Sequence, residues 1–279
     1  MRRCLPPDRA ATRDYPMPNK RPLSQGIVRR AARWVMVTSL GLCPALAPAM
    51  TPAPRLSDWW LEQEALPAPD TRPYYLLRTD ATAHQRLGRR LEAELSTLLG
   101  QASLGRPGIS RAGLRSWQQA IQGGLARGGR TPGRADLAAL LASPRHDPAL
   151  ASLETVGVCQ APDWVEIWSR DDVARVAWTT GMHLHDLLAR LPTERVGTAQ
   201  AAWLVSPHQA PRRLGIAAWN ARDAELVPGS RIVLELTDDV PAAAWINRHL
   251  PGFLASRLPG EPCTSLGRTP PDSQRDRSS

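Results

Sequence analysis

A change in hydrophobic period near residue 155 constrains this chain more than any other feature. Before it, apolar residues recur at helical spacing; after it, they fall in short alternating runs between turns. Leu87, Leu91, Leu95 and Leu98 mark a helix over Ala81 to Leu99, capped by Asp80. Leu114, Trp117 and Ile121 mark a second over Ser110 to Leu125, with Ser110 suited to an N-cap. Past the change, Trp164-Val165-Glu166-Ile167-Trp168 alternates, Arg170-Asp171-Asp172 turns, and Val173 to Trp178 returns as the hairpin partner. A helix over 182–188 ends before Pro192. Strands follow at Ala201 to Val205, Arg213 to Trp219 and Arg231 to Leu236, the last introduced by Pro228-Gly229. Hairpin, helix, then further strands is the order of a mixed sheet wrapped on one helix. The predicted fold class is therefore α+β. A β-grasp (ubiquitin-like) domain spans 151–237 and follows a helical segment over 81–150. The stretch 238–258 reads as a C-terminal amphipathic helix, kinked or restarted at Pro251, and 259–279 as a disordered tail rich in Pro, Ser and Arg.

The net charge of +9 and a pI near 10.5 suggest a nucleic-acid binder until the charges are placed. Nine of the 35 basic residues lie within 1–49, against two of the 26 acidic ones, so the remainder is close to neutral. A nucleic-acid surface would keep its positive excess in the folded part. The basic excess instead introduces a leader. Arg29, Arg30 and Arg33 precede the short apolar run Trp34 to Leu42, and Ala47-Pro48-Ala49 supplies small residues for cleavage after Ala49. The expectation is an exported, periplasmic chain beginning near Met50. No later apolar run reaches the roughly 18–20 residues of a spanning helix, which excludes a polytopic membrane protein.

Cleavage there would leave Cys159 and Cys263. They form either a disulfide, closing a loop of roughly 100 residues and worth about 4–5 kcal/mol on the chain-entropy model, or one buried and one loop thiol. Catalytic and cofactor patterns are missing. The glycines between Gly123 and Gly133 lack the Gly-Lys-Ser/Thr of a phosphate loop. His183 and His185 point to opposite sides of a helix, and the acid pairs Asp171-Asp172 and Asp238-Asp239 sit at turns, where Asp bonds its own backbone. No metal, cofactor or catalytic residue is assigned.

Two stretches carry a family resemblance. Arg213-Leu214-Gly215-Ile216-Ala217-Ala218-Trp219-Asn220, followed by Leu226-Val227-Pro228-Gly229-Ser230-Arg231-Ile232, resembles the V-x-x-A-x-W-N … P-G-S-x-I/L block of the GfcC-type capsule-biosynthesis proteins. Gly129-Arg130-Thr131-Pro132 resembles that family's Gly-Arg-Leu-Pro turn, and Ile246 to Pro259 its terminal helix. The resemblance implies two β-grasp domains with an inserted helical segment, of which 50–80 would be a remnant of the first. It implies a periplasmic accessory of capsule or exopolysaccharide assembly rather than an enzyme. Its partners would be polysaccharide or the export machinery, with the protein a monomer and peripheral membrane contact through the C-terminal helix.

Arg130 is a candidate for an acidic sugar carboxylate, with a structural arginine bonding loop carbonyls as the other reading. Trp219 and Asn220 are candidate contacts for sugar or partner. Trp164, Trp168, Trp178, Trp203 and Trp219 all fall on expected strands, where a core role is the simpler reading for each. Two other functions stay open: a periplasmic polysaccharide-modifying enzyme and a component of the outer-membrane export channel.

Overall fold

The leucine stripe of the first half and the alternating runs of the second build three layers that meet at one helix end. The computed structural model describes residues 53–63, 66–102, 110–237 and 239–267; the expected leader and its cleavage site, Asp238 and residues 268–279 lie outside the described residues. In chain order the elements are α1 (Leu56–Glu62), β1 (Thr71–Leu77), α2 (Arg78–Ala102), α3 (Arg111–Ala126), α4 (Leu137–Ala142), β2 (Leu153–Gln160), β3 (Trp164–Trp168), β4 (Val173–Ala177), α5 (Leu184–Arg190), α6 (Thr193–Val196), β5 (Ala201–Val205), β6 (Arg212–Gly215), β7 (Arg231–Leu234), α7 (Pro241–Ala255) and β8 (Cys263–Gly267). The fold is mixed α+β.

Five strands form a sheet in the order β4-β3-β7-β5-β6. The central pair β3–β7 is parallel, and every other pair is antiparallel. Side chains of a strand alternate between faces, and both faces here are covered. Val165, Ile167, Ala202, Leu204, Ile232 and Leu234 join Leu184 and Leu187 of α5 in one core. Their neighbours Trp168, Val205 and Val233 face the other way, into a larger core with α2, α3 and α7. The stripe Leu91, Leu95 and Leu98 lies in that second core, as do Leu114, Trp117 and Ile121. Ser110 caps α3, its Oγ accepting from the Gly113 N–H at 2.9 Å. Gly113 has to be glycine for space: a Cβ there would stand 2.1 Å from the Arg170 carbonyl oxygen.

Several expectations are corrected. Asp80 lies inside the first turn of α2 rather than before it, and its carboxylate accepts from Thr131 Oγ1 at 2.6 Å. The strand expected from Arg213 to Trp219 stops at Gly215, because Asn220 folds back on Ala217. Residues 153–160, expected at the head of the β-grasp, belong to a separate three-stranded sheet, β1-β2-β8. Its third strand is formed by residues 263–267, within the expected disordered tail. Cross-strand pairing supplies the order that composition argued against. Pro251 does not restart α7, which runs as one helix from Pro241 to Ala255 with the proline inside it. That helix buries Ile246, Leu250, Phe253 and Leu254 in its own protein's core. No helix among the described residues is long and apolar enough to cross a membrane.

Cys159 and Cys263 are joined as a disulfide, across directly paired positions of β2 and β8. The bridge fastens a strand whose next four residues are exposed. Its sequence separation of 104 residues makes the loop-entropy contribution large. Replacing both cysteines by serine should lower the unfolding free energy by about 2–5 kcal/mol, read from urea titrations of oxidised wild type and variant. Dithiothreitol should reproduce the loss in wild type and leave the variant unchanged.

Candidate functional site

Helix C-termini leave their last carbonyls unpaired and carry partial negative charge. At the end of α7 three arginines from three parts of the chain meet that need. Arg130, in the glycine-rich turn after α3, donates through Nε to the carbonyls of Ala255 and Arg257, each at 3.2 Å, and through its backbone N–H to Ser256 at 2.8 Å. Arg231 of β7 donates through Nη1 to Leu254 and through Nη2 to Leu258, each at 3.2 Å. Arg257 turns back and donates through Nη1 to the carbonyls of Gly124 and Gly128, at 3.0 and 3.1 Å. Glu166 adds a carboxylate 3.5 Å from Arg231 and 3.1 Å from Arg175. Burial and the neighbouring Arg231 charge lower Arg130 to about 10, and burial with Arg231 does the same to Arg257. Arg130 is only 4% exposed and spends its Nε on the protein's own carbonyls, so of its two sequence readings the structural one describes that nitrogen. Arg231 and Arg257 were not singled out as site residues; each sits in a motif quoted for the family resemblance, but neither motif says that a helix end lies opposite.

Beside this clamp opens a cavity of about 210 Å³, between the start of β1, the 130–136 turn and the loop after β5. Arg72, Arg130, Arg134, Asp136 and His208 line it. Arg134 pairs with Asp136 through Nε at 2.8 Å and Nη2 at 3.0 Å. That contact, with the Ala139 N–H, holds the Asp136 carboxyl below its ordinary range against the opposing effect of burial. Burial lowers Arg72, and its Nε has no hydrogen-bond partner. Burial first, then the charges of Arg72, Arg134 and Arg130, push His208 down to about 4, so the imidazole is neutral at pH 7. Arg72 and His208 carried no local sequence signal; 136 residues of chain separate them, and folding alone makes them neighbours.

Trp219 and Asn220 lie elsewhere, on the turn after β6. Asn220 Oδ1 accepts from the Ala217 N–H at 3.0 Å, its Nδ2 donates to Gln200, and the Arg222 N–H bonds Gly215. These bonds fix the turn and leave Trp219 77% exposed. Asn220 is thus a positioning residue in this geometry. The other strand tryptophans differ. Trp168 is fully buried, Trp203 packs on one core and Trp178 on the other, and Trp164 lies beneath the Arg175 guanidinium, 4.0 Å from the ring centre. The core expectation therefore fails at Trp219, and Trp164 lies outside the cores.

His183 precedes α5 and bonds Asp223 through Nδ1 at 2.8 Å, while Asp223 also accepts the His185 N–H. Asp172 is engaged by Arg195 at 2.6 Å within its turn. Among the described residues no group of three His, Cys, Asp or Glu could hold a metal ion.

Replacing Arg130 by alanine should lower the unfolding free energy by roughly 2–4 kcal/mol, because buried carbonyls lose their donor. Lysine should recover little of it, since one ammonium cannot reproduce the planar fork. Chemical denaturation of the two variants checks both. His208 gives a pH signature. Its folded pKa of about 4 lies below the ordinary 6.5, so between these values the unfolded chain binds the extra proton. Its contribution is fully present above about pH 6.5 and is lost as pH falls toward 4. The melting temperature should drop over that window, and less in His208→Asn.

Residues 172–259 match a protein-family model described as capsule biosynthesis GfcC C-terminal. The match runs from the turn before β4 to Pro259 and so covers β4, α5, α6, β5, β6, β7 and α7, with Trp219, Arg231 and Arg257 inside it and Arg72 and Arg130 outside. No curated protein matches the chain. Over residues 172–259 the chain is similar to the C-terminal domain of the GfcC-type capsule-biosynthesis proteins.

Proposed function

We propose that this protein is a non-catalytic accessory of capsule or exopolysaccharide assembly, exported to the periplasm, where it binds polysaccharide or a component of the export machinery. The observation that carries the reading is the family match over the segment holding most of the five-stranded sheet and α7. A β-grasp assignment is supported by the order β4-β3-β7-β5-β6, its parallel central pair, and α5 lying across one face between the second and third strands of that sheet in sequence. The β1-β2-β8 sheet, with α2, α3 and α4 between its first two strands, fits a reduced first β-grasp domain with an inserted helical segment. Export is supported by the leader pattern over 29–49 and by the Cys159–Cys263 disulfide, since such bonds persist in oxidising compartments.

A binding role is supported by Trp219. A large aromatic held out by a hydrogen-bonded turn loses little conformational entropy on association, and its face can stack on a sugar ring or enter a partner's pocket. Deleting the gene with its neighbours intact should reduce surface polysaccharide in amount or chain length. Wild type should complement it, while Trp219→Ala should complement poorly at an equal level of folded protein. Unchanged polysaccharide in amount, length and linkage after deletion overturns the reading.

A further inference from the structure

The arginines at the end of α7 are supplied with acceptors; the buried Nε of the half-buried Arg72, across the adjacent cavity, is not. Arg130, Arg231 and Arg257 all donate to carbonyls. The Arg72 Nε is shielded from solvent and bonds nothing. A buried charged donor without an acceptor costs more than the about 1–3 kcal/mol of a neutral one, so folds rarely leave it unmet unless something else meets it. The charge count of the cavity points the same way. Arg134 is neutralised by Asp136, whereas no ion pair joins Arg72 or Arg130 to a carboxylate among the described residues. Two guanidiniums thus face about 210 Å³ of space with no counter-charge of their own. His208 lines the same space as a neutral imidazole, able to donate from one nitrogen and accept at the other.

We propose that this cavity binds a compact oxyanion, carried on an acidic sugar as its carboxylate or present as free phosphate, with Arg72 as the charged donor and His208 hydrogen-bonding the group that bears the anion. Arg130 contributes charge while its Nε stays on the end of α7. A guanidinium fork matches a carboxylate or phosphate edge in plane and spacing, and the unpaired Nε of Arg72 supplies one tine. The inference rests on the reading of this chain as a binder. Its test uses purified protein, so its failure leaves the deletion phenotype untouched, and the reverse holds equally.

The test is calorimetric titration of the purified full chain at constant ionic strength with sodium glucuronate, glucose and inorganic phosphate. At least one anion should bind and glucose should not. Phosphate binding as well as glucuronate marks an oxyanion site indifferent to its carrier, and glucuronate alone marks a sugar-acid site. Arg72→Gln should weaken binding about 10- to 100-fold in a variant that stays folded, the loss expected for one charge-assisted hydrogen bond. Should Arg72→Gln unfold, His208→Ala serves in its place and should weaken binding severalfold. No binding of either anion, equal binding of glucose, or undiminished binding by the folded variant overturns the proposal.

Discussion

The end of α7 is where the fold is tied together. Its last carbonyls would be expensive to bury alone, and three guanidiniums from outside the helix body reach them or the turns packed against them. Each arrives from a different layer. Arg231 comes from the centre of the five-stranded sheet, Arg257 reaches the glycine-rich end of α3, and Arg130 stands next to Thr131, whose N–H bonds Tyr75 of the smaller sheet. The helix dipole and the carbonyl oxygens make three like charges tolerable around one helix end, with Glu166 as the added counter-charge. Removing any one leaves acceptors unmet and disturbs all three layers together.

The two faces of the larger sheet divide the labour. One is closed by the short α5 and is almost wholly apolar. The other carries α2, α3 and α7, and it is here that charge enters, through Glu166 beside Trp168 and Arg231. The basic cavity lies where the smaller sheet, the 130–136 turn and the loop after β5 adjoin, so its walls are loops braced by sheets. Such placement leaves side chains accessible to a ligand while the backbone beneath them stays fixed.

What the sequence made legible was local. The β3–β4 hairpin, the strand Ala201 to Val205 and the Ser110 cap rest on neighbours a few residues apart, and period and turn chemistry specify them. Partner choice was illegible. β2 reads as a strand, yet nothing in Val156-Gly157-Val158 says that it pairs with β1 and β8 rather than with β3. The tail strand escaped because Cys263 to Gly267 has no apolar face, and pairing with β2 is what orders it. Arg130 was visible as a candidate, but its acceptors lie 125 residues or more along the chain. Trp219 looked like the other strand tryptophans because composition cannot show that Asn220 folds back on Ala217 and the strand stops at Gly215.

The smaller sheet has one edge and its middle strand made early and its other edge made last. β2 waits for β8, the final strand of the described chain, with more than a hundred residues between them. A chain that emerges from its amino end therefore completes the larger sheet while β2 still shows one bare edge. That interval exposes unpaired backbone to any neighbouring strand, including that of another newly made copy, and ends only when the carboxyl end arrives and its thiol is oxidised. Truncation or delayed oxidation near the end of this polypeptide would thus favour intermolecular strand pairing, a hazard set by the order of assembly rather than by the finished protein's surface.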